Sequence, residues 1–223
     1  MWTWSLDWGE VSPTLLVGSC PMRPVDLIRI RRQSDATAIL SLQHDDCLSY
    51  WGIEYAQMLD VGARNGLRME RCAMRDFNIE DQRRRLPTAV ALLTRLQLQG
   101  YRTYVHCTAG LGRSPLTVWA YLVMVEGREP SEAIQKIRQV RPTAVPSGEA
   151  LLGCRQDLLS KLERKIEERA YTLYRHGTPG DSEHHWFVAQ QQILREWFVD
   201  TAHADNVVRA GPETADVHEI VDK

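Results

Sequence analysis

The chain has 223 residues, of which 43% are hydrophobic and 25% are charged, with a formal net charge of −2. This composition predicts a globular protein with one core and a small appendage, and its near neutrality argues against nucleic acid as a main partner. The longest apolar run, 116–125, is too short to cross a bilayer. Five cysteines without a Cys-x-x-Cys pair argue against structural zinc and, with no visible secretory signal, predict a cytoplasmic protein.

Strand and helix patterns alternate along the chain and predict an α/β fold, with a central mixed sheet flanked by helices and a helical C-terminal extension. Strands are expected at 14–18, 38–42, 67–71 and 101–105, and helices at 24–32, 54–64, 87–99, 114–126, 131–140, 148–174 and 186–198. Pro87 is expected to open its helix, and 44–52 is expected to be a polar loop. Trp2, Trp4 and Trp8 are expected either to pack on the flank of the domain or to form a stacking surface for sugar rings.

Three parts of the chain are distinguished by composition. Residues 1–165 carry the alternating pattern and are expected to form the main domain. A Gly-Thr-Pro-Gly-Asp break at 177–181 lies within 166–200, which is expected to be a small helical module. The polar, aperiodic stretch 201–223 is expected to be a flexible tail.

One short stretch carries the chemistry, and it reads His106-Cys107-Thr108-Ala109-Gly110-Leu111-Gly112-Arg113-Ser114. It lies between a predicted strand and a predicted buried helix, so its two glycines are expected to make a tight loop. Backbone N–H groups of such a loop form a nest for an anion, and the N-terminus of the next helix adds partial positive charge. The predicted phosphate-binding residues are Cys107, Thr108, Ala109, Gly110, Leu111, Gly112 and Arg113, the last through a two-pronged guanidinium contact.

The same positive field stabilises a thiolate, so Cys107 is expected to have a lowered pKa and to act as a nucleophile. With these residues the loop resembles the signature of cysteine-dependent protein tyrosine phosphatases, and within them of the dual-specificity phosphatases. The resemblance implies that residues 1–165 form a dual-specificity phosphatase catalytic domain. It also implies a phosphocysteine intermediate that water hydrolyses, with no cofactor and no metal.

The resemblance also assigns roles to residues around the loop. Asp76 stands at the position of the acid that protonates the leaving oxygen and later activates water. The alternative is that Asp76 is only a loop or helix-capping residue. Asp81 is the second candidate for the acid. Ser114 matches the hydroxyl residue that hydrogen-bonds the leaving thiolate, a role compatible with capping the following helix. His106 is expected to orient the loop rather than to titrate in the reaction.

Further segments are similar to glucan phosphatases, the starch-excess type of plants and laforin, over roughly residues 6–163. They are Val17-Gly18-Ser19-Cys20-Pro21, Ser49-Tyr50-Trp51-Gly52-Ile53, Arg75-Asp76-Phe77-Asn78 and 105–115. The resemblance implies that Tyr50, Trp51 and Phe77 border the phosphate pocket, where aromatic rings could stack on sugar faces. The open alternatives are core anchoring for Tyr50 and Trp51 and loop bracing for Phe77.

The expected substrate is therefore a phosphorylated polysaccharide, with a phosphoprotein as the alternative that a protein dual-specificity phosphatase would take. A non-catalytic phosphate-binding protein is the third possibility, and the intact set of Cys107, Arg113 and Asp76 argues against it. The loop has no lysine, which disfavours a highly anionic inositide. No membrane partner is expected. Residues 167–189 resemble a short module appended to many bacterial proteins.

Overall fold

The computed structural model describes residues 4–209. A five-stranded mixed sheet forms its centre, in the order β1-β2-β5-β3-β4. Its strands are β1 (Trp8–Ser12), β2 (Leu15–Gly18), β3 (Ala38–Gln43), β4 (Arg68–Met74) and β5 (Thr103–His106). All neighbouring pairs are parallel except β1 and β2, which are antiparallel. The predicted α/β class, with a mixed sheet flanked by helices, is confirmed.

Helices cover both faces of the sheet. They are α1 (Pro24–Ser34), α2 (Asp45–Trp51), α3 (Tyr55–Arg64), α4 (Ile79–Leu98), α5 (Arg113–Met124), α6 (Pro130–Val140), α7 (Gly148–Arg175) and α8 (Ser182–Arg209). Side chains of a strand point alternately to opposite faces. Leu15 and Val17 therefore join the larger core under α4, α5 and α7, while Leu16 between them joins the smaller core under α1 and α3. Burial on both faces explains why these strands read as continuous apolar runs.

Two secondary-structure elements in the N-terminal half, β1 and α2, were not predicted from the sequence. Strand β1 was missed although its burial alternates, with Gly9 and Val11 inward and Glu10 outward. The segment predicted as a polar loop forms α2 instead, because the His44 side chain accepts a hydrogen bond from the Asp46 backbone and caps the helix. Of the three early tryptophans, Trp4 and Trp8 pack against the smaller core, and Trp2 lies outside the described residues.

Helix α4 begins eight residues before the predicted start. The Asn78 side chain accepts a hydrogen bond from the Asp81 backbone at 2.8 Å and caps the helix there. Pro87, the predicted opening residue, lies inside the helix. The capping asparagine therefore decides where α4 starts, and the proline is accommodated within it.

The C-terminal part consists of two long helices, α7 and α8, which contact each other and pack on the larger core. The predicted boundary at 165 falls inside α7, and Ile166, Leu194 and Phe198 belong to the same buried cluster as the strands. Residues 201–209 continue α8 as helix, and residues 210–223 lie outside the described part, so the flexible tail expected at 201–223 stays a prediction. A separate role for residues 166–200 stays a prediction.

Within residues 4–209, no helix is long and apolar enough to span a membrane. The same residues contain no cluster of three or more histidine, cysteine or acidic side chains arranged to hold a metal ion.

Candidate active site

The loop joins β5 to α5, a strand followed by a helix as the sequence predicts, and lies at the carboxyl end of the parallel strands. Gly110 adopts φ +71°, in the left-handed region that favours glycine. A Cβ atom at Gly110 would lie 2.5 Å from the carbonyl group of Gly18, so a larger residue would push the loop off its neighbouring strand. A glycine is therefore required at this point both for its backbone angle and for close packing.

Five consecutive carbonyl groups of the loop, those of residues 107–111, are bonded to groups outside it. His106 Nδ1 lies 2.9 Å from the Cys107 oxygen, and the backbone amides of Cys20 and Val145 donate to the oxygens of Thr108 and Leu111. The other two carbonyls, of Ala109 and Gly110, accept from Arg141. In a trans peptide the N–H points opposite to the C=O. The amides of 108–112 therefore face the other way, and within the described residues none of them donates to a protein acceptor.

Cys107 lies at the base of this nest, with only 3% of its surface exposed. Burial by itself raises the pKa of the thiol. The Arg113 charge, together with hydrogen bonds from the Ser114 hydroxyl at 3.4 Å and the Ser114 backbone, outweighs burial and holds the pKa below its ordinary value. The site is therefore built to hold a thiolate, which is the nucleophilic form. Burial in contrast lowers the pKa of His106 to about 4, so its ring is neutral.

Arg113 is fully buried at the start of α5. Its Nη1 donates to the Met74 carbonyl at 3.0 Å and to Cys47 Sγ at 3.4 Å. Its Nη2 donates to Asp76 Oδ2 at 2.8 Å and to Thr108 Oγ1 at 3.1 Å. Nε is buried with no partner in the structure. A buried guanidinium with one donor unused is suited to an oxyanion that accepts from it.

The structure separates the two candidate acids. Asp76 lines the cavity that contains Cys107 and forms an ion pair with Arg113. Asp81 instead accepts from the Arg75 backbone at 2.8 Å and pairs with Arg84, at the first turn of α4. Burial opposes ionisation of Asp81, but these bonds lower its pKa, so it serves the fold as a carboxylate. Of the two candidates, Asp76 is the carboxylate that lies beside the nest.

Two neighbouring cavities flank the nest. One, of about 360 Å³, is lined by Cys107 and Asp76 and extends toward Ile79 and Val145. The other, of about 560 Å³, extends toward the predicted aromatic residues and is lined by Tyr50, Trp51, Phe77, Thr108, Ala109 and Leu111 among others. The two cavities share Asp76, Phe77, Ala109 and Leu111. A phosphate in the nest would therefore have apolar walls on both sides of it.

The three aromatic residues are exposed rather than packed in the core. Tyr50 is 81% exposed and Trp51 39%, and their rings meet edge to face at the end of α2, with centroids 5.1 Å apart. Phe77 is 96% exposed and has φ +53°, an uncommon value for an aromatic residue. These exposures argue against core anchoring for Tyr50 and against loop bracing for Phe77, whereas Trp51 is more than half buried and core anchoring stays an alternative for it.

Two contacts of the site were not predicted from the sequence. Arg141 directly follows the helix predicted at 131–140, and Cys47 lies in the loop predicted at 44–52. Arg141 bonds two loop carbonyls, and Cys47 accepts from Arg113. Neither contact has a local signal, because each joins residues far apart in the chain.

Residues 43–151 match the family described as the dual specificity phosphatase, catalytic domain. This match runs from the last residue of β3 to the start of α7 and includes the whole loop and Asp76. Because it ends at 151, the resemblance of the C-terminal segment to a bacterial module stays a prediction.

Two known proteins are similar to this chain over about 70% of its length. The chain is 34% identical over 168 residues to the amyloplastic phosphoglucan phosphatase DSP4 of Castanea sativa, covering 72% of this chain and 43% of that protein. It is 27% identical over 172 residues to laforin of Mus musculus, covering 70% of this chain and 51% of laforin. The chain therefore spans about half, or less, of the length of these relatives.

Solved structures share the fold. PTPMT1 has 20% sequence identity and a TM-score of 0.54, covering 70% of this chain and 99% of that one. Kinase associated phosphatase has 18% identity and a TM-score of 0.53, covering 71% of this chain and 96% of that one. At these identities the likeness concerns the fold.

Proposed function

We propose that this chain, which belongs to the dual-specificity phosphatase superfamily of cysteine-dependent phosphatases, hydrolyses phosphate monoesters of a glucan through a phosphocysteine intermediate. One observation carries the catalytic part of the proposal. Cys107, with a lowered pKa, lies at the base of a loop whose amides 108–112 have no acceptor among the residues that the structure describes. That arrangement binds a phosphate dianion and presents a nucleophile to its phosphorus.

In the first step the Cys107 sulfur bonds to phosphorus as the bond from phosphorus to the leaving oxygen breaks. Asp76 gives its proton to that oxygen. In the ligand-free protein the Asp76 carboxylate pairs with Arg113. A phosphate dianion competes for the same guanidinium, and this exchange releases Asp76, which takes up a proton from solvent and then acts as the acid.

In the second step the Asp76 carboxylate takes a proton from water. The water oxygen bonds to phosphorus as the phosphorus–sulfur bond breaks, which releases inorganic phosphate and the Cys107 thiolate. The Ser114 hydroxyl, 3.4 Å from the sulfur, stabilises the departing thiolate by hydrogen bonding.

The substrate class rests on the aromatic surface beside the nest, formed by Tyr50, Trp51 and Phe77. A phosphoglucan is neutral except at its phosphates, so its affinity depends on stacking and on hydroxyl hydrogen bonds. The exposed rings of these residues line the larger cavity next to the loop. The similarity to a phosphoglucan phosphatase and to laforin supports the same substrate class.

The test compares phosphate release from phosphorylated amylopectin, a phosphotyrosine peptide and an aryl phosphate. We expect turnover of the glucan and of the aryl phosphate, with weak activity on the peptide. Cys107→Ser serves as the control and should abolish turnover of all three, so activity in this variant would refute the phosphocysteine route. Strong peptide activity with negligible glucan release would refute the substrate class and identify a protein phosphatase.

A further inference from the structure

We propose that Arg141 is a positioning residue for phosphate binding, because it fixes two peptide groups of the nest with their N–H groups toward the phosphate. The inference rests on the proposed function, in which this loop holds the substrate phosphate. It assigns to a residue at the end of α6 a part in a site formed by the loop between β5 and α5.

The contacts of Arg141 are with the backbone of the loop. Its side chain is 6% exposed. Nε donates to the Gly110 oxygen at 2.6 Å, and Nη2 donates to the Ala109 oxygen at 2.8 Å. Nη1 lies 3.4 Å from both the backbone oxygen and the carboxylate of Asp7, so the far side of the guanidinium is held as well.

These two bonds determine the direction of two amides. Each planar trans peptide carries its C=O and the next N–H on opposite sides. Holding the oxygens of Ala109 and Gly110 on the Arg141 side therefore directs the amides of Gly110 and Leu111 to the opposite side, where the anion binds. Two of the five nest amides thus depend on one side chain.

The loop needs such a restraint at this point. Glycine samples both signs of φ, so the peptides on either side of Gly110 rotate more easily than those of other residues. A rotated peptide would present a carbonyl oxygen to the phosphate and repel it. The bonds from Arg141 oppose that rotation before the substrate arrives, which is preorganisation of the site.

The contact also requires the shape of arginine. A planar guanidinium offers several donors in fixed directions and can serve two successive carbonyls at once, whereas the ammonium of lysine is a single point of charge. A Cβ on Gly110 would lie 2.7 Å from Arg141 Nη2, so the guanidinium is packed directly against the loop backbone. Lysine at 141 would keep the charge but lose the two-pronged hold.

The experiment measures binding of tungstate, a phosphate analogue, by calorimetry, together with aryl phosphate kinetics and thermal melting. In Arg141→Met we expect the dissociation constant of tungstate to rise roughly 10- to 100-fold, as for losing charged hydrogen bonds that shape a binding site. kcat/KM should fall by a similar factor. Arg141→Lys should give a smaller loss of tungstate affinity.

The matched control is Arg102→Met. Arg102 also donates to a backbone carbonyl, that of Ser34 at 2.7 Å, but it lies just before β5, at the end of the sheet away from the nest. We expect this variant to melt at a lower temperature while binding tungstate within twofold of the wild type. Comparison of Arg102→Met with Arg141→Met therefore distinguishes a loss of stability from a loss of phosphate binding.

An Arg141→Met protein that melts lower yet binds tungstate like the wild type would overturn the proposal and leave Arg141 a purely structural role. If Arg141→Met does not fold, Arg141→Lys provides the test. Wild-type affinity for tungstate in Arg141→Lys would refute the requirement that one guanidinium bonds both loop carbonyls. The proposed function fails separately, if wild-type protein binds tungstate but does not hydrolyse the aryl phosphate.

Discussion

Phe77→Ala should weaken action on phosphoglucan while leaving the chemistry of the nest unchanged. Phe77 is 96% exposed, so removing its ring costs almost no packing and the free energy of unfolding should change by less than about 0.5 kcal/mol. Stacking of an aromatic ring on a base contributes about 1–3 kcal/mol, and we take the same range for a sugar ring by analogy. At about 1.4 kcal/mol per decade, phosphate release from glucan should fall roughly 5- to 150-fold.

The assay measures kcat/KM for solubilised phosphoglucan and for an aryl phosphate with the same preparations. Hydrolysis of the aryl phosphate should stay within about twofold, because the thiolate, Arg113 and Asp76 are retained. Trp51→Ala is the companion variant: at 39% exposure it should show the same selectivity with some loss of stability. Equal losses on both substrates, or an unchanged rate on glucan in Phe77→Ala, would refute the stacking surface.

The remaining predictions concern proton transfer and pKa values. Asp76→Ala should lower the rate about 10²–10³-fold for poor leaving groups and much less for nitrophenyl phosphate; equal losses would place the acid elsewhere. Ser114→Ala should raise the pKa of Cys107, since a bond to the thiolate is lost, and should move inactivation by iodoacetamide to higher pH; an unchanged pH profile would contradict this. The pKa of His106 is about 4 in the folded protein and 6.5 ordinarily, so the unfolded chain takes up the proton first. The neutral ring therefore contributes its full share to the free energy of unfolding above pH 6.5. This contribution is lost as the pH falls toward 4, and at 1.36 kcal/mol per pKa unit the loss is about 3 kcal/mol. Urea unfolding at pH 7 and pH 4.5 should show a larger loss for the wild type than for His106→Gln, and equal losses would be inconsistent with a buried neutral ring.

The secondary structure shows which elements can be predicted from residues close together in the chain. Apolar periodicity predicted most of the strands and helices, because each depends mainly on residues close in the chain. It failed at α2 and at the start of α4, where the signals were the capping side chains of His44 and Asn78 rather than periodicity. It failed again at β1, which is stabilised by pairing with β2.

The sequence by itself determined the nest and its nucleophile. The loop contains Cys107, two glycines and Arg113 within seven residues. A strand comes before it and a helix after it, so residues close in the chain were sufficient to predict the loop and its cysteine. The tertiary structure alone decided what surrounds the loop. It places Asp76 rather than Asp81 beside Arg113, and it brings Arg141 to the loop carbonyls. It also packs α8 into the same core as the sheet. These contacts join residues that are distant in the chain, and their partners are selected by packing of the whole domain rather than by the preferences of neighbouring residues.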